Sequence, residues 1–196
     1  MSIYPTKINQ RFARPKNAGA AEIRLDAAGT GASLICGAFV RLFLQINDES
    51  KIIESARFKS NGCGYAVAAA DALAEKIINR KLTDLHGAEA NVWQAEIEAG
   101  LDAFPPLRRH CLEICVDALR SALGDYRTRR LEEFSGEKAL ICTCFGVSEE
   151  TIERVVAENQ VETVKDVTDL CKAGGGCGSC SFLIQEIIDV NWNEKY

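Results

Sequence analysis

The sequence predicts two modules of unlike build, a mixed strand-and-helix module followed by a small helical one. Three observations predict them. In "FVRLFLQI", Val40, Leu42, Leu44 and Ile46 fall on one face, as in a half-buried strand, and "KIIESARFKS" returns after the turn "NDES". In "HCLEICVDALRSALGDYRTRR", Leu112, Val116, Leu119, Leu123 and Tyr126 recur at i, i+4, i+7, i+11 and i+14, the spacing of a helix with one apolar face. Beyond the charged stretch "RTRRLEEFSGEK" the balance shifts: residues 136–196 hold 11 acidic and 5 basic side chains, and the first 135 hold 17 and 18. Modules over residues 1–131 and 132–196 follow, with the linker near Gly136.

The elements come in this order. "INQRFARPKNAG" reads as a short helix stopped before Pro15, then a turn at Asn17–Gly19. "TGASLICGA" reads as a small-residue loop carrying Cys36. The strand over residues 39–46 and its return follow, the return turning Ile52, Ala56 and Phe58 inward. "NGCG" is a tight turn holding Cys63, and "YAVAAADALAEKIINR" an alanine-rich helix with a charged outer face. "LTDLHGAEANVWQAEIEAG" is polar and helical, with His86 in a surface loop. "FPPLRRHC" is extended, because its two prolines resist helix. In the second module "ICTCFG" is short and extended. Ser148 caps "EETIERVVAEN", and Thr163 caps "VKDVTDLCKA", which the following glycines end. "SFLIQEIIDV" is a last short helix.

Composition narrows the functional classes. At 47% apolar and 26% charged the chain is ordinary for a soluble globular protein. It has no apolar run of about 18 residues that would span a membrane. "MSIYPTKINQRF" lacks the hydrophobic segment of a signal peptide, so a cytoplasmic protein is expected. A near-neutral module joined to an acidic one lacks the basic footprint of nucleic-acid binding. Nine cysteines, an odd number, in a reducing compartment point to metal or redox chemistry rather than disulfides.

The tail carries the clearest chemistry. Cys142 and Cys144 are one residue apart, Cys177 and Cys180 two, with 32 residues between the pairs. Two close thiol pairs on separate loops suit a four-thiolate site. In "CKAGGGCGSC", Gly174, Gly175 and Gly176 let the backbone approach the metal and aim N–H groups at sulfur. Cys180 opens a helix, where the dipole favours a thiolate. Structural zinc also takes four thiolates, but it has no bridging sulfides that need donors. Cys171, i+4 from Val167, reads as a buried free thiol. "CTCFGVSEETI" with "CKAGGGCGSC" resembles the [2Fe–2S] domain of bacterioferritin-associated ferredoxin and the central domain of NifU. The resemblance implies a stable [2Fe–2S] cluster on Cys142, Cys144, Cys177 and Cys180.

Cys36, Cys63 and Cys111 are far apart in sequence. Spacing leaves open whether they share a metal or sit as three core thiols. "RPKNAG", "CGA", "NDESKIIESARFKSNGCG", "FPPLRRHC" and "DALRSALGDY" together resemble the NifU/IscU scaffold family, from about Phe12 to Arg130. That resemblance implies an α+β fold, a small antiparallel sheet packed on helices. It also implies assembly of iron–sulfur clusters from sulfide delivered by a cysteine desulfurase, by a scaffold and carrier rather than an enzyme. Cys36, Cys63 and Cys111 match the family's cysteines and His110 its histidine, as a site for a transient cluster or zinc. Recipient apo-proteins and a homodimer are implied as well. "FPPLR" resembles the family's "LPPVK", which an Hsp70-type chaperone recognises; here Phe104, Leu107 and Arg108 replace the usual residues. Ala38 stands where the family has Asp, as "CGD". Nothing follows "IIDVNWNEKY", where the family's longest members carry a further C-x-x-C domain. Arg108 and Arg109 beside Cys111 are expected to lower its pKa and make it the sulfur acceptor. Cys115, one turn on, is read as core. Two further readings stand beside the scaffold: an electron-transfer or cluster-storage protein, and a zinc-holding sulfur acceptor.

Overall fold

The computed structural model describes residues 3–20, 25–85, 89–102, 104–134 and 139–193. Its contacts divide the chain into two compact units, one built mainly from residues 1–126 and the other mainly from 127–196. The first unit runs α1 (Thr6–Ala13), β1 (Ala27–Ala32), β2 (Phe39–Ile46), β3 (Ile53–Ser60), α2 (Gly64–Ile77), α4 (Ala90–Ala99), a one-turn 3-10 segment (Pro106–Arg108) and α5 (His110–Glu133) as far as Tyr126, while α3 (Leu82–Leu85) groups with the second unit. The second holds β4 (Leu140–Cys142), β5 (Val147–Ser148), α6 (Glu149–Asn159), α7 (Val164–Cys171) and α8 (Ser181–Asn193). An α+β module is thus followed by a mainly helical one, as the sequence predicts.

In the first unit β1, β2 and β3 form one antiparallel sheet in sequence order. Val40, Leu42, Leu44 and Ile46 are buried, as their alternation requires. Three expectations need correction. "AAGTGA" is a strand, not part of a loop: it pairs with β2 from Ala27↔Leu44 to Ala32↔Phe39. Its small residues admit α5 directly. A Cβ on Gly29 would lie 2.0 Å from the Ala122 nitrogen, and one on Gly31 2.0 Å from the Ile114 oxygen. On the return strand Ile53 is inward and fully buried, not Ile52, because the register shifts at Gln45/Ile46 and flips the alternation. The Pro106–Arg108 segment is a turn of 3-10 helix rather than extended, closed by the Arg108 N–H donating to Pro105 O at 2.8 Å.

The outer edge of β1 is covered from α5, where Asp125 accepts from the Ala28 N–H at 2.8 Å and the Ser121 hydroxyl from the Thr30 N–H at 3.3 Å. The Asn17–Gly19 segment covers the far edge of β3 by exchanging hydrogen bonds with Phe58. The alanine-rich α2 is more deeply buried than its sequence suggests; even Asp71 is 0% exposed. Asp71 pairs with Arg11 at 2.7 Å and accepts from the Asn17 N–H at 2.9 Å, tying α1 and the turn after it to α2. α5 runs to Glu133, two residues past the expected module boundary, which is the scatter of a helix end. Gly136 and His86 lie outside the described residues.

The second unit pairs β4 with β5 and packs three helices on a few apolar side chains, chiefly Ile152, Val156, Val161, Val167, Ile184 and Ile188. The caps are as expected. The Ser148 hydroxyl accepts from the Thr151 N–H, and Thr163 forms a reciprocal capping box with Asp166. The residue that ends α7 is Lys172, at φ 66°, ahead of the glycines.

Candidate metal centres

Three elements of the first unit deliver one site. Cys36 lies in the turn between β1 and β2, Cys63 is the residue before α2, and His110 and Cys111 open α5. The His110 Nε2 lies 3.5 Å from the Cys36 sulfur and 3.7 Å from the Cys111 sulfur, and Cys111 lies 3.9 Å from Cys63. All four expected ligands are therefore gathered. Among the described residues no three such side chains yet face a single ion position. Three thiols and an imidazole are the donor types that a soft metal or an iron–sulfur cluster takes.

The thiols differ in character. Cys36 is exposed, and its pKa is lowered by the backbone of Ala38, then by the Ser33 side chain and, to a smaller degree, by Arg108. Cys111 is 1% exposed, and burial pushes its thiol up to about 12, with Cys63 and Cys36 adding to the rise. The expectation that two arginines activate Cys111 is corrected here: burial outweighs Arg108, and the Arg109 guanidinium lies 3.9 Å from Glu98. Cys115 is core, as expected, at 0% exposure. Cys171 is half-buried rather than buried, its thiol donating to Val167 O at 3.2 Å. Ala38 is 8% exposed, and its carbonyl accepts from the Ser33 N–H at 2.8 Å, closing the Cys36 turn.

Phe104 does not stand out with its neighbours. It is 5% exposed and its ring sits edge-on to Tyr65 at 5.3 Å, while the rest of the expected chaperone segment, Pro105 to Arg108, is exposed. Sequence reasoning also missed Ser33, Ser60, Asn61 and Tyr4. The Tyr4 hydroxyl accepts from the Gly64 N–H at 3.1 Å, beside Cys63. Isolated polar residues in loops give no periodic signal.

In the second unit Cys142, Cys144, Cys177 and Cys180 are all buried. They form two hydrogen-bonded pairs, Cys142 with Cys180 and Cys144 with Cys177. Hydrogen bonding within each pair lowers one thiol and raises the other: Cys180 lowers Cys142 and Cys144 lowers Cys177, while Cys180 and Cys144 are pushed up in turn. The glycines divide the labour. The Gly174 backbone hydrogen-bonds to Cys142 and Cys180, at φ 86°. The Gly175 N–H donates instead to Lys172 O at 3.1 Å, finishing α7. Gly176 leaves room for a ligand: a Cβ there would lie 2.5 Å from the Cys144 Cβ. Four buried thiols with backbone donors aimed at them fit a negatively charged cluster.

Fold and site together define a class: an α+β module gathering three thiols and an imidazole, followed by a helical module holding four thiols. The chain belongs to the family of the NifU-like N terminal domain, which matches residues 3–133, and residues 140–190 match the BFD-like [2Fe-2S] binding domain. It is 37% identical to the nitrogen fixation protein NifU of Trichormus azollae over 97% of its own length and 65% of that protein's. The chain thus spans less than two thirds of that relative. It is 32% identical to the mitochondrial iron sulfur cluster assembly protein 2 of Saccharomyces cerevisiae, covering 65% of this chain and 80% of that one. A NifU-like N-terminal protein from Brucella abortus shares the fold, with a TM-score of 0.51 at 16% identity over 65% of this chain and 96% of the other. Among the described residues no helix is long and apolar enough to cross a membrane.

Proposed function

We propose that this chain is a scaffold on which iron–sulfur clusters are built and from which they pass to recipient apo-proteins, with a [2Fe–2S] cluster kept in the tail as a redox centre. The observation that carries the reading is the meeting of Cys36, Cys63, His110 and Cys111 from three separate segments. The chain is a carrier rather than a catalyst. It works in the cytoplasm, where thiols stay reduced. Its modules divide at about residue 131, within the last turn of α5.

Sulfur enters from a cysteine desulfurase. A thiolate of this chain attacks the outer sulfur of the enzyme's persulfide. A new S–S bond forms here, the enzyme's own S–S bond breaks, and its cysteine leaves as thiolate. Exposure and a lowered pKa favour Cys36 for this step over the buried Cys111. A cellular reductant supplies the two electrons that release the sulfur as sulfide. Three thiolates and one imidazole then hold the growing cluster less firmly than four thiolates would, which suits delivery. In the tail a bound cluster supplies one-electron chemistry; Cys142, Cys144, Cys177 and Cys180 hold it, with the Gly174 backbone stabilising its negative sulfurs. The chain pairs with a second copy, and an Hsp70-type chaperone grips Pro105 to Arg108, the exposed part of its segment.

Anaerobic incubation with a desulfurase, cysteine and ferrous iron tests this. The full chain should bind about four iron atoms, and the Cys63→Ser variant about two. Zinc without sulfide at the first site would make the chain a zinc-holding sulfur acceptor instead. Two irons in both proteins would make it a storage or electron-transfer protein.

A further inference from the structure

The ladder between β2 and β3 ends at Val40↔Ser60, yet hydrogen bonding continues past it through side chains. The Ser60 hydroxyl donates to Phe39 O at 2.6 Å and accepts from the Gly62 N–H at 2.9 Å. Asn61 goes further. Its Oδ1 accepts from the Phe39 N–H at 2.8 Å, and its Nδ2 donates to Gly37 O at 3.2 Å. The amide orientation is fixed by its partners, because a backbone N–H needs the oxygen and a carbonyl needs the nitrogen. Gly37 follows Cys36 directly, and Asn61 stands two residues before Cys63.

We infer that Asn61 is a positioning residue that clasps the Cys36 turn to the Cys63 turn and so holds two ligands of the proposed cluster site in register. This inference rests on the scaffold reading for its consequence, though not for its geometry. The Cys36 turn needs such a clasp. Leu34 and Ile35 are 102% and 90% exposed, so no apolar contact anchors them. Gly37 sits at φ 68° with nothing within 4 Å of the place a Cβ would take. The turn is closed on itself by Ser33 N–H to Ala38 O and Gly37 N–H to Ser33 O. Apart from the contact of Cys36 with His110, its attachment at the cluster side falls to Ser60 and Asn61. Ordering a free loop on binding costs backbone entropy at every residue, and a preset loop avoids part of that cost. Asn61 itself is exposed, so its bonds do little for global stability and act on the loop.

Asn61→Ala and Asn61→Asp in the full chain test this. Asn61→Asp keeps an acceptor for Phe39 and loses the donor to Gly37. The N-terminal cluster is identified as the fraction missing from Cys63→Ser. Asn61→Ala should lose it to a chelator about tenfold faster, Asn61→Asp at an intermediate rate, and the thermal midpoint should stay within about two degrees. Amide exchange at Phe39 should rise in Asn61→Ala. Unchanged cluster lifetimes in both variants would overturn the inference, as would a Phe39 amide protected equally in all three proteins. Should the wild-type N-terminal site take up no cluster, the scaffold reading falls. The clasp is then judged by alkylation of Cys36 relative to Cys63 in the metal-free chain: an altered ratio in Asn61→Ala upholds it, and an identical ratio overturns it.

Discussion

Each unit of this chain assembles four soft ligands, and the two do it in opposite ways. In the tail all four sulfurs are buried, already paired, and backed by glycines shaped to them. In the N-terminal unit one sulfur is fully out, one half-buried and one inside, and a histidine bridges the outer and inner thiols. A site that must retain its group benefits from burial and preset donors. One that must fill and empty needs an approach from solvent, and the Cys36 turn provides it. On the proposed function the two sites are a store and a delivery point on one chain.

The largest expected effect lies in the tail, where there is no slack. Gly176→Ala places a Cβ 2.5 Å from the Cys144 Cβ and 2.9 Å from its sulfur. It should displace that ligand, destabilise the tail by about 1–3 kcal/mol and release the tail cluster, as read by visible absorption and by proteolysis beyond residue 139. The matched change in the open site, Gly37→Ala, meets no neighbour and should cost only about 1 kcal/mol of backbone strain. Similar damage from both changes would erase the contrast.

The next effect is in pH. Burial raises the folded Cys111 thiol to about 12 from an ordinary value near 9, and the buried Cys115 shifts the same way. Between those values the unfolded chain has lost protons that the fold keeps. The contribution of these two thiols to metal-free N-terminal stability should therefore be constant below pH 9 and fall as pH rises towards 12. The tail pairs supply the opposite trend at low pH. Cys142 and Cys177 are lowered by their partners, so their contribution is lost as pH falls below about 9, while the raised Cys144 and Cys180 make the tail lose stability above about 9 as well. Urea midpoints of the two transitions from pH 5 to 11 check the signs; curves that run parallel below pH 9 would refute the assigned environments.

The smallest expected effect is at Ala38. Ala38→Asp would put a carboxylate into an 8% exposed position whose backbone lowers the Cys36 pKa. The added negative charge should raise that pKa, slow alkylation of Cys36 about threefold at neutral pH and speed loss of an anionic cluster by a similar factor. Unchanged alkylation would show that the side chain does not face the sulfur.

The candidate ligands were legible in the sequence because cysteines at short spacing have few other uses, and because distant motifs stood in a familiar order. Long strands and helices were legible from alternation and from the stripe along α5. What stayed hidden was decided by tertiary contact. "AAGTGA" has no apolar alternation; it is a strand because Gly29 and Gly31 admit the α5 backbone. Ile53 replaced Ile52 inside because of one irregular pair in the ladder. Adjacent arginines suggested a reactive Cys111, but burial, which no local pattern reports, decided its character. Three consecutive glycines looked like one device and proved to be three: a backbone donor, a helix end and a space for sulfur.

Release kinetics test the store-and-delivery account most directly. The full chain, loaded anaerobically at both sites, is mixed with an apo-ferredoxin acceptor and the iron transferred is followed in time. The account predicts two phases of about equal size, a fast one absent from Cys63→Ser and a slow one that leaves the tail cluster in place. A single phase, or a fast phase that persists in Cys63→Ser, would contradict it.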